Sequence, residues 1–169
     1  MSGHRYHQGF TLAELLIALA IVAILAKTAL PSFITYLQTS RLVSASQQLY
    51  YTLEYARSQA IKTNTTVYVS FVTGSNWCYG VNSGSTCSCN VANSCALGST
   101  SAPASGQLTL SATGLTSSAL HFEPNHGASG VKSIITLTNN QSVGLSVEVP
   151  IFGNALLCST QVSGYSACP

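Results

Sequence analysis

The sequence predicts an α+β protein in which a long N-terminal α-helix, membrane-spanning in its first half, packs on antiparallel β-sheet. Two observations carry this prediction. The first third of the chain is apolar over residues 10–30 and then repeats apolar residues at helical spacing. After Thr65 the chain alternates short β-rich stretches with Gly, Ser and Asn turns. Short neighbouring strands of this kind form an antiparallel sheet that buries one face against a helix.

The apolar segment of residues 10–30 is long enough to cross a bilayer. As a helix it would extend about 31 Å at the standard rise per residue. An ordinary secretory signal has a small-residue cleavage site after its apolar region, whereas here the conspicuous glycine, Gly9, precedes it. The helix is therefore expected to be retained. Arg5 in the short leader favours a cytoplasmic leader, which puts the rest of the chain outside.

After Pro31 the helix is expected to resume and to end near residues 62–64, where a cation and an Asn suit a C-terminus. Its apolar residues recur every three or four positions and define one buried face: Leu42, Ala45, Leu49, Leu53, Ala56 and Ala60. The opposite face is polar. Glu54 and Arg57 on it are expected to form an exposed pair of little energetic weight.

The remainder of the chain predicts a series of short strands. The β-rich stretches are "TVYVSFV", "WCYGVN", "GQLTLSA", "ALHFEP", "SIITLTN" and "SVEVPIFG". In the last one, Val147, Val149 and Ile151 alternate with polar residues and Pro150, which predicts one buried face and, from the proline, a sheet edge. Residues 98–106, "GSTSAPASG", are expected to form an exposed loop.

Six cysteines, an even number confined to the part after the apolar segment, favour disulfides formed in an oxidising compartment. Zinc is the competing interpretation, but no C-x2-C pair is present. Cys158 and Cys168 are expected to pair, because they are alone in the C-terminal stretch. Direct pairing of Cys87 with Cys89 would be strained. Two arrangements then stay open: Cys78 with Cys87 plus Cys89 with Cys95, or Cys78 with Cys89 plus Cys87 with Cys95.

The stretch "GFTLAELL" from Gly9 resembles the class III prepilin signal of type IV pilins and type II secretion pseudopilins. The resemblance implies a pilin-like fold and cleavage by a prepilin peptidase after Gly9, with methylation of the new N-terminus at Phe10. It implies that Glu14 pairs with the terminal amine of a neighbouring subunit, and Pro31 matches a helix-kinking proline common in pilins. The implied organisation is a leader (1–9), a transmembrane and assembly helix (10–30), and a periplasmic globular domain with the second half of the helix (31–169).

Within these proteins the chain most resembles the GspH/FimT group of minor pilins and minor pseudopilins, through "LEYARSQAIKTNTTVYVSF" and "WCYGVN". The resemblance implies a structural subunit that starts as a single-pass inner-membrane protein. It would then enter an extracellular pilus at or near the tip, together with other minor pilins and major pilin subunits, and help to prime assembly. A minor pseudopilin of a type II secretion system is the alternative that the sequence leaves open.

DNA binding for natural transformation is a further alternative, which the residues disfavour. The six Lys and Arg residues are scattered and form no concentrated basic patch. DNA receptors of the resembled group carry Gly-Arg-x-Arg before a late cysteine, but residues 153–156 here are Gly153, Asn154, Ala155 and Leu156. Neither cation that would grip phosphates is present.

No catalytic residue, metal site or cofactor is predicted. "HFEPNH" holds His121, Glu123 and His126, but it lacks the H-E-x-x-H spacing and is better explained as a strand that ends in a turn. The chain has no G-x-S-x-G motif and no Asp to orient a histidine. Trp77 and tyrosines such as Tyr51 are expected in the core or in subunit contacts rather than on a base-stacking platform.

Overall fold

The computed structural model describes residues 10–103, 106–152 and 154–169, without the side chains of residues 28 and 29. The predicted leader, with Gly9, and also Gly153 lie outside the described residues. The chain forms two compact units, Met1–Leu37 and Gln38–Pro169.

The fold is α+β, as the sequence predicts, and begins with one long helix. Helix α1 comprises Leu12–Thr63 and is followed by Asn64 in the left-handed conformation, with φ of 51°. The amide of Thr65 donates to the carbonyl of Ala60 over 3.3 Å. An Asn that accepts positive φ at a helix C-terminus is a common stop signal, so the predicted helix end is confirmed.

Eight strands follow in the second unit. They are β1 (Val67–Val72), β2 (Cys78–Ser83), β3 (Gly98–Ser101), β4 (Leu108–Thr113), β5 (Ala119–Phe122), β6 (Ser133–Asn139), β7 (Gly144–Val149) and β8 (Leu156–Cys158). They form two four-stranded sheets, in the orders β3-β2-β1-β5 and β4-β6-β7-β8. Every strand pair within the two sheets is antiparallel.

One face of α1 and one face of each sheet form the core of the second unit. The helix residues on that face have no exposed surface: Leu42, Ser46, Leu49, Leu53, Ala56 and Ala60. The predicted face is confirmed except at one position, where Ser46 is buried and Ala45 only partly so. Ser46 continues the alternation of four- and three-residue steps that keeps a stripe on one side of a helix. Its hydroxyl has no partner among the described residues.

The two sheets are joined by contacts around Trp77. Its indole N–H donates to the carbonyl of Leu108, on the first residue of β4, over 3.1 Å. Gly74 forms a two-way bridge with Leu110, with N–O distances of 2.8 and 3.0 Å. Gly74 has φ of 103°, a conformation that L side chains rarely adopt. A glycine and a buried indole therefore fix the first sheet to the second.

Two predictions about the strands are wrong. Strand β7 pairs with β6 on one side and β8 on the other, so it is not an edge, and it ends at Val149 before Pro150. Ile151 is 42% exposed instead of buried. The predicted loop of residues 98–106 starts with strand β3, which pairs with β2. The edge and loop predictions fail because the short strands β3 and β8 are specified by their pairing partners rather than by their own composition. Ile151 is exposed because it lies beyond the end of β7.

Three disulfides cross-link the second unit. They join Cys78 to Cys89, Cys87 to Cys95 and Cys158 to Cys168, with Cα–Cα distances of 5.8, 5.3 and 4.9 Å. The first two correspond to the second arrangement that the sequence leaves open. The Cys78–Cys89 bridge fastens the loop between β2 and β3 onto β2, and the Cys87–Cys95 bridge closes that loop on itself, directly over Gly80.

Replacing Gly80 with alanine is expected to lower the free energy of unfolding by about 1–3 kcal/mol, the usual effect of overpacking. A Cβ atom at Gly80 would collide with the sulfur of Cys95 and would lie 3.2 Å from the sulfur of Cys87. Urea unfolding of the full chain in detergent, with its disulfides intact, measures the effect. Gly144→Ala is the matched control, because a Cβ atom there would meet Thr136 at an ordinary 3.5 Å. Equal stability of the two variants would contradict the packing described.

Candidate assembly site at the helix start

Thr11 and Glu14 form a reciprocal hydrogen-bonded pair at the start of α1. The backbone N–H and the hydroxyl of Thr11 both donate to Oε2 of Glu14, each over 3.0 Å. In return, the backbone N–H of Glu14 donates to the Thr11 hydroxyl oxygen over 3.2 Å. This arrangement is a capping box, which satisfies amide groups that the first turn of a helix leaves unpaired. Glu14 therefore has a partner within its own chain.

The side chains around this pair are apolar and exposed on all sides of the helix. Phe10 is 89% exposed, and the large apolar residues of the first unit that are at least half exposed are Leu12, Leu15, Leu16, Ile17, Leu19, Ile21, Val22, Ile24, Leu25, Leu30, Phe33 and Ile34. A helix that is apolar all round is stable only inside a larger protein assembly or a membrane. The first unit thus exposes an apolar surface that a membrane or other protein chains must bury.

Within the described part of the chain, no single helix is long and apolar enough to cross a membrane. The segments Leu12–Lys27 and Leu30–Thr63 meet the requirement together, by length and composition.

Pro31 lies inside α1. A proline has no N–H to donate to the preceding turn, so it removes one helical hydrogen bond. The hydroxyl of Thr35 donates to the carbonyl of Pro31 over 3.1 Å, which ties down the turn that follows. The kink that the resemblance implies at this position stays a prediction.

The C-terminal stretch that replaces the Gly-Arg-x-Arg motif is bound by the helix. Arg57 donates through Nη1 to the side-chain oxygen of Asn154 and through Nη2 to the carbonyl of His126, the latter over 3.2 Å. The amide of Ala155 donates to Oε1 of Glu54 over 2.7 Å. Glu54 and Arg57 are half-buried, 3.9 Å apart. The prediction that they form an exposed, solvated pair is wrong, because the loop around residue 154 covers them.

The side chain of Lys132 is also held in an ion pair. Lys132 lies 2.7 Å from Oε1 of Glu148, whose carboxylate is almost fully buried. Leu156, where the second arginine of the motif would stand, is 51% exposed and carries no charge. The geometry therefore offers phosphate groups no pair of free cations at residues 154–156.

The histidines of "HFEPNH" lie in separate environments. His121 is on β5 and its ring lies 5.8 Å from that of Tyr68. His126 is in the turn that follows the strand, with φ of 65°, so the predicted strand and turn are confirmed. Among the described residues, no group of three or more His, Cys, Asp or Glu side chains could hold a metal ion.

Comparison with known proteins places the chain in a family. The family model described as type II transport protein GspH matches residues 45–151, more than half of the chain. The chain belongs to the GspH family. A second model, the prokaryotic N-terminal methylation motif, matches residues 4–26 of this GspH-family protein. A comparison with curated proteins gives no significant match.

Solved structures show the same fold. A crystal structure of the type IV minor pilin FimU from Pseudomonas aeruginosa PAO1 matches with a TM-score of 0.56 at 18% identity, over 79% of this chain and 99% of FimU. A second crystal form of FimU matches with a TM-score of 0.53 at 19% identity, over 75% of this chain and all of that one. At this identity the likeness establishes the fold of the GspH-family protein, which is that of a minor pilin.

The capping box was not anticipated from the sequence of the GspH-family protein, although a signal for it was present. Thr11-x-x-Glu14 directly before an apolar run is the sequence pattern of this cap. The contacts of Glu54 and Arg57 had no such signal, since their partners lie about a hundred residues further along the chain.

Removing the cap should loosen the first turn of α1. Thr11→Val keeps the side-chain shape but deletes the hydroxyl, and the loss of such a cap costs about 1 kcal/mol. Hydrogen exchange of the Glu14 amide, measured on the full chain in detergent micelles, is expected to become about fivefold faster. Thr11→Ser retains the hydroxyl and should exchange like the parent. Identical exchange in the valine and serine variants would show that the cap does not stabilise this turn.

Proposed function

We propose that this chain is a minor pilin that is incorporated into a type IV pilus and helps to prime its assembly. The observation that carries the proposal is the first unit of the chain, where an acid stands at the head of a helix that is apolar and exposed on all sides. Such a surface is suited first to a membrane and then to a bundle of identical or similar helices. The N-terminal methylation motif over residues 4–26 supports the same role.

The order of events follows from the motif and the helix. The chain first sits in the inner membrane by residues 10–30, with the leader in the cytoplasm and residues 31–169 in the periplasm. A prepilin peptidase cleaves after Gly9 and methylates the amine of Phe10. The mature subunit then leaves the membrane and packs with other minor pilins and with major pilin subunits, and it occupies a position at or near the pilus tip.

The carboxylate of Glu14 makes assembly selective for a neighbouring subunit with a cationic N-terminal amine. An unpaired carboxylate is costly in hydrocarbon or in a helix bundle, whereas a carboxylate beside the cationic amine of a neighbour is strongly attracted to it. Within the described residues, the capping bonds of Glu14 end on Oε2. The other oxygen, Oε1, is then the one that meets the neighbouring amine, so capping and subunit pairing are compatible.

A second candidate is a minor pseudopilin of a type II secretion system. The specific observation in its favour is the description of the matching family model, type II transport protein GspH. The two candidates share the processing site, the membrane helix and Glu14. They differ in the filament with which the subunit co-purifies.

Processing is expected to cut the bond between Gly9 and Phe10. Intact-mass analysis of membrane-extracted protein should give a chain that starts at Phe10 and carries one added methyl group. The same measurement in cells without prepilin peptidase is the control, and it should give a chain with all nine leader residues. An uncleaved chain in cells with an active peptidase would rule the proposal out.

Glu14→Gln should abolish incorporation into sheared filaments and leave membrane insertion intact. Glutamine can still form the capping box, since that motif accepts Glu or Gln at this position, but it has no charge to attract an amine. Glu14→Ala, which loses both the cap and the charge, should behave like Glu14→Gln. Quantitative immunoblots of purified pili and of type II secretion filaments measure incorporation and also identify the system. Parental amounts of the glutamine variant in either filament would mean that the cap, and not the charge, is what assembly requires.

A further inference from the structure

Strand β3 leaves one edge of the first sheet open. It pairs with β2 and stands at the end of the order β3-β2-β1-β5. The other three strands that end a sheet each have a further backbone bridge to a neighbouring segment: Gly74–Leu110 at β4, Thr116–Ala119 at β5 and Cys158–Ser166 at β8. Within the described residues, no bridge of this kind reaches β3. An open edge is a template on which another chain can add a strand.

The register of the β2–β3 pair determines which backbone groups of this edge are unpaired. The amide of Ala102 donates to the carbonyl of Trp77 over 2.7 Å, and Thr100 lies two residues before it in the same ladder. Residues of an antiparallel ladder alternate between direct hydrogen bonding and none, so Thr100 and Ala102 direct their N–H and C=O groups towards β2. The N–H and C=O groups of Ser99 and Ser101 therefore point away from β2, towards the open side.

The composition of β3 does not oppose pairing with another strand. Its sequence is Gly-Ser-Thr-Ser, and three of its four residues are exposed. Natural edge strands commonly carry lysine or proline to prevent unwanted pairing, and β3 has neither. Its exposed backbone groups are spaced for another extended backbone, which fixes the chemical class of the occupant as a polypeptide.

Two hollows follow this edge along its whole length. The first, of about 600 Å³, is lined by residues 97–100 and by helix residues between 44 and 55. The second, of about 460 Å³, is lined by Thr100, Ser101 and Pro103 and by helix residues between 41 and 48. Together they form a groove between α1 and the edge of β3. A strand added to β3 would direct every second side chain into this groove.

The two hollows favour different side chains. The first has an apolar wall formed by Tyr51, Tyr55 and Leu97, which suits a large apolar side chain. The second contains Arg41, the only charged side chain among the described residues that line either hollow. Arg41 is exposed and donates through Nη1 to the side-chain oxygen of Gln107, and its guanidinium has further N–H groups to offer. An acidic side chain in the second hollow would accept a charge-assisted hydrogen bond.

We propose that the edge of β3 binds an extended segment of a neighbouring filament subunit as an added antiparallel strand. The segment carries a large apolar residue opposite Thr100, which fills the first hollow, and an acidic residue two positions earlier, which reaches Arg41. Backbone hydrogen bonds to Ser99 and Ser101 provide affinity, and the two side chains provide specificity. That the partner is a filament subunit rests on the proposed function of this chain, whereas the chemistry of the segment does not.

A second copy of this chain is a poorer occupant of the same edge. If the β3 strands of two copies paired, the added strand would have the sequence Gly-Ser-Thr-Ser. None of those residues has a large apolar side chain to fill the first hollow, and none has an acid to pair with Arg41. The partner is therefore expected to be a different subunit.

Strand addition is tested by NMR on the full chain in detergent micelles, with the end-blocked peptide Thr-Asp-Thr-Phe-Thr at millimolar concentration. In the antiparallel register its phenylalanine lies opposite Thr100 and its aspartate reaches Arg41. Saturating peptide should slow hydrogen exchange of the Ser99 and Ser101 amides about fivefold or more. The Thr100 amide, which already bonds to β2, should be unchanged. The same peptide N-methylated at the two threonines beside phenylalanine cannot donate these bonds and should not bind.

Arg41→Glu tests the charge preference of the second hollow. It should weaken binding of the aspartate peptide on the order of tenfold and make the peptide Thr-Lys-Thr-Phe-Thr the preferred one. Lys62→Glu is the matched control, since Lys62 is an exposed cation of α1 that lines neither hollow. It should leave the preference for aspartate unaltered.

Ser101→Pro tests the use of the edge in the filament. It removes an N–H that points away from β2, at the kind of position where edge strands tolerate proline. Its incorporation into sheared pili should fall about fivefold, as for the loss of one backbone hydrogen bond, whereas Ser101→Ala keeps the N–H and should be incorporated like the parent. Slow exchange of the Thr100 amide in both variants shows that β3 still pairs with β2. Arg41→Glu, which leaves the backbone of β3 intact, should lower incorporation in the same assay.

Several results would overturn the proposal. These are a failure of the aspartate peptide to protect Ser99 and Ser101, equal binding of its N-methylated form, or an unaltered charge preference in Arg41→Glu. Protection that rises with protein concentration in the absence of peptide would assign the edge to a second copy instead.

The filament assay distinguishes a failure of this proposal from a failure of the proposed function. Parental incorporation of Ser101→Pro and Arg41→Glu into pili that contain the parent chain would show that the edge of β3 is not a filament contact, although the chain is a pilin. Absence of the parent chain from pili and from secretion filaments would contradict the proposed function and with it the identity of the partner. The peptide measurements would then still decide whether the edge adds a strand.

Discussion

Burial of one side of α1 under two sheets is the constraint on which the second unit depends. Leu42, Leu49 and Leu53 have no exposed surface, and each such side chain stabilises the fold by about 1.5–3 kcal/mol when it leaves water. Strands of both sheets contribute to the same core cluster as this stripe, so both must be held in place. The bonds from Trp77 to Leu108 and from Gly74 to Leu110 join the sheets, and the disulfides then anchor the loops that the core does not reach.

Elements whose apolar residues recur with a regular spacing could be predicted from the sequence. Elements that form only by pairing with a distant strand could not. The helix, its end at Thr63 and six of the strands follow from spacing and composition. Strand β3 has the sequence Gly-Ser-Thr-Ser, which is typical of a loop, and it is a strand only because β2 offers a ladder of backbone groups. Strand β8 has three residues, too few to show any period. Pairing between distant segments is invisible to local patterns.

The candidate site divides in the same way. Glu14 stands out in the sequence because a carboxylate is costly in an apolar run. The structure adds that Glu14 and Thr11 form a capping box at the start of the helix. Glu54 and Arg57 resemble an ordinary solvated pair by spacing alone. Their contacts with Ala155 and Asn154 depend on where a distant loop returns to the helix, which no local pattern in the sequence encodes.

Scarcity of charge is common to the candidate assembly site and the rest of the molecule. The chain has four acidic residues, and three of them have assigned partners: Glu14 with Thr11, Glu54 with Ala155, and Glu148 with Lys132. A subunit that becomes surrounded by other subunits loses water from its surface, and every unpaired charge there would oppose assembly. Hydroxyl and amide side chains avoid that cost, because they keep the monomer hydrated and can still be satisfied inside an assembly.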